Sequence, residues 1–373
     1  MVDKSIFNKT LDILALRVKP AQVQDVLRKY KSQLWSFPRR KNVVDCPEEP
    51  QKFKLILFAD EIPAELQSIG EKIFYQVHLC YDDYSFEEVM RRVIPEPIDA
   101  PTSFESIGHI AHFNLRDDVW PFRHIVGQVL LDKHPQYRTV VSKVGSLEGP
   151  FRTFKMEVLA GDDDLVATVK EGGLTLHVPF DKAYWNSRLS GERQRVLKIA
   201  KKGDRLVDMF CGVGAMSCFA ARKNCLVFSN DLNPDATKAA ELNAKLNGVS
   251  LAVSCGDARE FVKRLVAEGV ITDEVKTHFI MNLPEIAIDF LDVFRGILGN
   301  DKCAVDWFVY VHCFSRSGEE DVKERVEKSL GVSNGDLDLE IVEVRDVAPN
   351  KKMYCAQFRI PLAVLQNPKK ARV

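Results

Sequence analysis

The stretch Leu206-Val-Asp-Met-Phe-Cys-Gly-Val-Gly-Ala-Met-Ser-Cys-Phe-Ala-Ala-Arg222 reads as a short apolar strand, a turn with two glycines, and a helix. Such a turn presents backbone N–H groups at the positive end of the helix and suits a bound ligand. Two glycines alone are a weak signal, because a tight strand-to-helix turn needs them for conformational reasons. Two neighbours sharpen the reading. Ser217 stands where a dinucleotide fingerprint would place its third glycine. Asp208 ends the strand four residues before Gly212. A carboxylate there repels a pyrophosphate and favours a ligand carrying an ammonium group. S-adenosylmethionine carries an ammonium and a sulfonium, and the run Asp208 to Gly214 points to it.

Downstream, strands and helices alternate. Leu226 to Asn230 is a strand ending at Asp231, and Asn233-Pro234 opens a helix that Asn247-Gly248 closes. Leu251 to Ser254 is a third strand, followed by Cys255-Gly-Asp-Ala258 and a helix to Ala267. His278 to Met281 is a fourth strand, ending at Asn282-Leu-Pro284, and Ile286 to Leu298 reads as a helix. Strand Trp307 to His312 and a polar helix, Glu319 to Leu330, come next. Two strands, Leu339 to Val347 and Met353 to Ile360, are then separated only by a hairpin-length loop. Five βα units closed by a hairpin predict an α/β fold with the Rossmann-like seven-stranded sheet of class I methyltransferases. A dinucleotide-binding fold would continue with parallel crossovers. Asp231 can accept both ribose hydroxyls and Asp257 the adenine amino group. Either acid alone could be a helix N-cap, but three acids after three successive strands favour a ligand.

Upstream the texture changes. Residues 102–180 carry short strand-like pieces around one helix, Pro121 to Leu131, and predict an α+β middle domain. Residues 1–95 form a small N-terminal domain with helices Pro20 to Tyr30 and Glu87 to Val93 and a strand Phe53 to Phe58. The linker is Pro95 to Pro101, and the catalytic domain runs over 181–373. The chain of 373 residues is 46% hydrophobic and 28% charged, as expected of a globular protein. No apolar run reaches the ~18 residues that span a bilayer, and the Val305–Phe314 run is interrupted by Asp306 and His312. No membrane partner and no secretion signal are expected. Nine cysteines without a CxxC predict neither a disulfide framework nor a zinc site, and a reducing intracellular compartment. Cytoplasm, nucleus and mitochondrial matrix all fit. A net charge of −1 gives no global signature of nucleic-acid binding. Any RNA contact must use clusters such as Arg39-Arg40-Lys41 beside Trp35 and Phe37, or the tail Lys369-Lys370-Ala-Arg372, and each reads equally well as a solvated run.

Asn282-Leu-Pro-Glu285 follows the fourth strand, where a reacting group would meet the cofactor's methyl. Asn282 offers a donor and an acceptor to a base or amide edge, and Pro284 stiffens the loop. Methylating a weakly acidic ring nitrogen needs a base for its proton and a cation for the neighbouring oxygen. Tyr184, Arg188, Glu192, Arg193 and Arg152 are the groups supplied ahead of the glycine turn.

Several segments together resemble one family. They are His112-Phe-Asn-Leu-Arg116, Gly149-Pro-Phe-Arg-Thr-Phe154 with Glu157-Val-Leu-Ala-Gly161, and Tyr184-Trp-Asn-Ser-Arg-Leu-Ser-Gly-Glu-Arg193. Asp208 to Gly214 and Asn282-Leu-Pro284 complete the set. The chain resembles the eukaryotic and archaeal tRNA (guanine-N1)-methyltransferases, which modify the guanine at position 37, 3′ of the anticodon. The likeness is dense over about 105–300 and thin over 1–95. It implies Glu192 as general base for N1, Arg152 stabilising charge on guanine O6, Tyr184 and Asn282 holding the base, and Pro284 shaping the pocket. Arg193 would support this arrangement and stands with Asp208, Phe210, Gly212, Gly214, Asp231, Leu232, Asp257, Ala258 and Asn282 in the cofactor-binding set. The resemblance also implies a tRNA partner, bound in part by the N-terminal domain, a monomer, and no catalytic metal. Ser187 stands where the family often has proline, and Ala215 replaces the proline of Gly-x-Gly-Pro.

Three other readings remain. One is the wybutosine-pathway aminocarboxypropyl transferase, which shares cofactor and domains but needs no N1 deprotonation. Another is a non-catalytic tRNA-binding protein, which the intact Asp208, Glu192, Arg152 and Asn282 set opposes. The last is a methyltransferase for a protein or small molecule, which the long upstream region opposes.

Overall fold

The computed structural model describes residues 2–148, 151, 153–271, 275–299, 305–333, 335 and 337–366. The strands are β1 (Lys9–Val18), β2 (Val43–Asp45), β3 (Lys54–Phe58), β4 (Glu71–Leu79), β5 (Glu105–Ile107), β6 (Ile110–Phe113), β7 (Thr139–Glu148), β8 (Thr153–Gly161), β9 (Val166–Glu171), β10 (Leu174–Pro179), β11 (Arg205–Asp208), β12 (Leu226–Asp231), β13 (Ala252–Cys255), β14 (Thr277–Met281), β15 (Trp307–Ser315), β16 (Leu339–Ala348) and β17 (Lys351–Arg359). The α-helices are α1 (Val23–Lys29), α2 (Phe86–Val93), α3 (Arg123–Lys133), α4 (Ser190–Ile199), α5 (Ala215–Arg222), α6 (Pro234–Leu246), α7 (Ala258–Ala267), α8 (Glu319–Leu330) and α9 (Leu362–Gln366). None is long and apolar enough to cross a membrane.

Two compact units divide the chain. The first comprises Met1–Glu105, Ala111–Ser142 and Glu157–Asp163; the second comprises Ser106–Ile110, Lys143–Met156 and Asp164–Val373.

The first unit holds a four-stranded sheet ordered β2-β3-β1-β4, antiparallel throughout. The sequence pattern predicts only β3 here, and the structure adds three strands. β4 does alternate: Ile73, Tyr75, Val77 and Leu79 point inward while Phe74, Gln76 and His78 are exposed. In β1, Leu14, Ala15 and Leu16 are consecutive apolar residues in contact with strands on both sides, which masks the period of two. The helix expected over Pro20 to Tyr30 begins as a 3-10 turn and becomes α1 from Val23.

The second unit is built on a seven-stranded sheet ordered β13-β12-β11-β14-β15-β17-β16. β11 to β15 are parallel, and only β17 runs against the rest. This is the class I methyltransferase sheet that the βα pattern predicts. Both faces are covered. Val207, Phe279, Val309 and Val311 pack with α7 and α8, while Leu206, Val227, Ile280, Tyr310 and Cys355 pack with α4 and α5. Between β14 and β15, the expected helix Ile286 to Leu298 is instead a 3-10 stretch, Ala287–Phe294. Gly296 and Gly299, both at positive φ, end it early. The hairpin β9-β10 is pinned to α6 by two asparagines one turn apart: Asn243 Oδ1 accepts from the His177 N–H (2.6 Å) and Asn247 Oδ1 from the Thr175 N–H (2.9 Å).

Candidate active site

Strand order reverses at β11, with β12 on one side and β14 on the other, so the carboxyl ends of these strands open a crevice at a topological switch point. Asp208, Asp231 and Asn282 sit at or just beyond those ends, with Asp257 following β13.

The two glycines of the turn do different jobs. Gly214 is the N-cap of α5 at φ 78°, and a Cβ there would lie 2.8 Å from the Ala240 Cβ, so it permits α5 to pack on α6. Gly212, at φ 53°, has only the Tyr184 carbonyl oxygen near a Cβ position, at 3.9 Å. Gly256 has nothing within 4 Å. Both border open space.

The three acids are firmly engaged. Asp231 Oδ2 accepts from the Gly212 N–H (2.8 Å) and Oδ1 from the Asn233 N–H (2.9 Å), so the second strand holds the glycine turn. Burial pushes this carboxyl up, and the backbone N–H bonds pull it back in part. Asp257 N-caps α7, accepting from Arg259 (2.8 Å) and Glu260 (3.2 Å). A carboxylate oxygen has lone pairs beyond those a cap uses, so capping and ligand binding are compatible. Asp208 is 1% exposed, and its Oδ2 accepts from Ser217 Oγ (2.8 Å). Burial pushes it up to about 7, against the Ser217 bond and with the help of the Asp231 charge. It therefore lies beneath the turn rather than on its surface.

Around these, Phe210 packs edge-on against Phe290 with centroids 5.1 Å apart. Leu232 is half-exposed, and Ala258 is buried at the start of α7. Asn282 Oδ1 is buried and has no hydrogen-bond partner among the described residues. Pro284 lends its carbonyl to the Phe314 N–H (3.0 Å), tying the Asn-Leu-Pro loop to β15. Tyr184 is largely exposed, and its hydroxyl accepts from Asn186 Nδ2 (3.2 Å). Arg193, expected to support the site and to stand in the cofactor-binding set, is held by Glu171. Its Nε and Nη2 donate to the two carboxylate oxygens of buried Glu171 at 2.7 and 2.5 Å, and its guanidinium lies over the Trp185 ring.

Glu192 stands in the first turn of α4, 9% exposed. Its Oε1 accepts from His312 Nε2 (2.8 Å) and Arg195 Nη2 (2.7 Å), and its Oε2 from Arg195 Nε (2.7 Å). Arg195 Nη1 also donates to Gln357 Oε1 (3.0 Å). Burial raises Glu192, but the bonds from Arg195 and His312 outweigh it and hold the carboxyl well below its ordinary range. His312 is pushed down by burial and raised on balance by Cys355 and Glu192. Ligand atoms of Glu192, His312 and Cys355 come within 4.8 Å of one another, a donor set a metal could use. The Arg195 guanidinium already supplies the positive charge on Glu192. Sequence reasoning missed Arg195, His312, Cys355 and Gln357. Two signals were available: the i,i+3 spacing of Glu192 and Arg195 on one helix, and a histidine inside the apolar run of β15.

Arg152 lies outside the described residues, as do Gly149, Pro150 and the basic tail Lys369, Lys370 and Arg372. In the first unit, Arg39 and Arg40 are largely committed to the protein. Arg39 donates to the Asp82 and Lys133 carbonyls, and Arg40 pairs with Asp83 at 2.5 Å. With Trp35, Lys41, Lys54, Tyr75 and His78 they border a groove of about 670 Å³.

Residues 167–329 match the family model described as the TRM5/TYW2 methyltransferase domain, and residues 86–164 match the one described as the TYW2 N-terminal domain. Among solved structures, that of Trm5b from Pyrococcus abyssi is similar with a TM-score of 0.67 at 25% identity, covering 93% of this chain and 99% of that one. The complex of aTrm5 and tRNALeu shares the fold, with a TM-score of 0.70 at 22% identity over 93% of this chain and 100% of that one. Among curated proteins, the tRNA (guanine(37)-N(1))-methyltransferase of Phytophthora infestans (strain T30-4) is 37% identical over 98% of this chain and 93% of its own. The human protein of that name is also 37% identical, over 98% of this chain and 76% of its own. With such likeness running the length of the chain, and a glycine turn and Asn-Leu-Pro loop at one switch point, the chain belongs to the tRNA (guanine(37)-N(1))-methyltransferase family.

Proposed function

We infer that this chain transfers the methyl group of S-adenosylmethionine to N1 of the guanine at tRNA position 37. The carrying observation is the run of relatives bearing that name at 34–37% identity over 97–98% of the chain. The site supports it. Open space at Gly212 and Gly256, the unpartnered Asn282 Oδ1 and the acids at the strand ends fit the proposed cofactor. Asp231 would receive the ribose, Asp257 and Ala258 the adenine, and Leu232 and Phe210 would line its sides. Asp208 would act as counter-charge beneath the methionine ammonium. The bound cofactor supplies an electrophilic methyl on a good leaving group, which leaves the protein to position the base and manage one proton.

Glu192, held ionised, is the proposed acceptor of the guanine N1 proton. Asn282 presents an acceptor to the base edge, Tyr184 covers the base, and Pro284 fixes the loop beside it. Arg152 is proposed to face guanine O6 and stabilise its charge. Arg193 supports the segment Tyr184 to Glu192 through Glu171 and Trp185. The protein is proposed to act as a monomer on tRNA. Methylation of a tRNA transcript with guanine at position 37 tests the reading against the same transcript with adenine there. Transfer to the guanine transcript alone, with a mass gain of one methyl, is expected; no transfer to guanine would refute it.

A second reading is favoured by the match of residues 86–164 to the TYW2 N-terminal domain. Under it, the product would gain an aminocarboxypropyl group instead, and the same mass measurement separates the two.

A further inference from the structure

Two cations from different elements hold Glu192, and the pattern of their bonds leaves its two oxygens inequivalent. Among the described residues, Oε1 receives two donors, His312 Nε2 and Arg195 Nη2, and Oε2 receives one, Arg195 Nε. A carboxylate oxygen has two in-plane lone pairs, so Oε1 is saturated and one lone pair of Oε2 is left. We propose that Arg195 and His312 are positioning residues for the proton-transfer step, clamping Glu192 so that the proton of guanine N1 is received on the free side of Oε2. This rests on the reading of Glu192 as the base. In the step, the N1–H bond breaks and an O–H bond forms at Oε2. The N1 electron pair makes the new bond to the methyl carbon, and the carbon–sulfur pair leaves with sulfur.

One arginine would suffice to neutralise the charge of Glu192. The second donor comes from β15, inside the sheet between β14 and β17, and His312 is fully buried. Such a group is costly to bury and is kept where it fixes geometry or charge. Arg195 is itself fixed from β17 by Gln357. The titratable groups facing this cluster are Arg195 on α4, His312 and Tyr310 on β15, Cys355 on β17 and Asp208 on β11. Of these, Arg195 and His312 alone bond to the Glu192 carboxylate, and their bonds overcome the burial that would otherwise protonate it. The clamp thus keeps the base ready across the physiological range. Losing either cation moves the carboxyl back up, so that it takes a proton more readily as pH falls.

The test is single-turnover methyl transfer to a guanine-37 transcript between about pH 5.5 and pH 8.5, with the cofactor saturating. The wild type is expected to keep a flat acid side. His312→Leu is expected to fall about tenfold from pH 8 to pH 5.5, with KM for tRNA within about twofold of wild type. Arg195→Lys, which keeps the charge but not the two-point grip, should lower the rate about tenfold or more at every pH without creating that slope. His312→Gln keeps an N–H donor at the Nε2 position without its charge, and should recover most of the pH 8 rate while retaining part of the slope. If His312→Leu does not fold, His312→Gln decides by its slope. Flat, near-wild-type profiles in the His312 variants, with Glu192→Gln inactive, would overturn the clamp and leave the base assignment standing. Near-wild-type transfer by Glu192→Gln would overturn the base assignment itself, and the clamp with it.

Discussion

Replacing Arg193 by methionine leaves the buried Glu171 carboxylate without its partner. Both side chains are 8% exposed and joined by two parallel N–H to O bonds of 2.7 and 2.5 Å. Removing one member of such a pair costs about 3–5 kcal/mol, because the surviving charge stays desolvated. The guanidinium also stacks on Trp185 at 4.9 Å from the ring centroid, which adds roughly 0.5–2 kcal/mol. Taking the ion pair alone, a unit of this size should melt roughly 6–20 °C lower. The double variant Arg193→Met, Glu171→Leu should recover most of the loss, since an apolar pair of similar volume replaces a buried ion pair at little or no cost. The assay is thermal and urea unfolding of the full chain, alongside calorimetric titration of S-adenosylmethionine. Melting within about 2 °C of wild type, with cofactor affinity reduced more than about tenfold, would refute the reasoning and return Arg193 to direct cofactor contact.

Asp208, at about 7, is partly protonated at neutral pH. Binding an ammonium above it should expel that proton, so calorimetry near pH 6.5 in buffers of different ionisation enthalpy should show up to about one proton released; no buffer dependence counts against the counter-charge role. Because its folded value is raised, Asp208 contributes stability that is complete below the unfolded carboxylate range and is lost as pH rises through about 7. Asp208→Asn should therefore flatten the stability profile of the cofactor-free protein between about pH 4 and 7, and an unchanged slope would contradict it. Gly214→Ala combines a left-handed backbone with a contact against Ala240, and should lose roughly 2–5 kcal/mol in urea unfolding. Gly212→Ala faces open space, so it should lose only about 1–2 kcal/mol while weakening the cofactor about tenfold, and equal behaviour of the two variants would contradict their separate jobs. Glu192→Gln and Arg152→Ala should each cut turnover by at least ~100-fold with the cofactor still bound, which near-wild-type single-turnover rates in both would disprove.

The catalytic sheet was legible because β11, β12 and β14 are short apolar runs ending at or beside Asp208, Asp231 and Asn282, and β11, β12 and β13 each lead into a helix. Asn233-Pro234 and Asp257 mark their helices by the cap bonds they make. The hairpin joining β16 and β17 was visible as a loop too short for a crossover. The N-terminal sheet was harder. The consecutive leucines and alanine of β1 conceal its register, and β4 was missed although its alternation is plain. Fold signals also reached only part of the site. Asp208, Asp231 and Asn282 are placed by strand ends, which a pattern can locate. Arg195 stands three residues after Glu192 on α4, a spacing that was there to be read, whereas His312 reaches Glu192 and Gln357 reaches Arg195 from β15 and β17, and no local spacing encodes those meetings. The partner of Arg193 lies 22 residues away on a hairpin, beyond any local pattern.

The reversed strand β17 lies between β15 and β16, so the strand made after β16 is inserted beside it on the inner side. During synthesis, β11 to β15 can pair as they emerge, and the glycine turn with its acids can form with them. β16 has no neighbour until residues 351–359 arrive, and those residues bring Cys355 and Gln357 to the Glu192 cluster. A nascent chain would thus hold Glu192, Arg195 and His312 before the residue that fixes Arg195 arrives. The ordering makes the last strand pair to form the one that completes the support of Arg195, and with it the proposed clamp on Glu192.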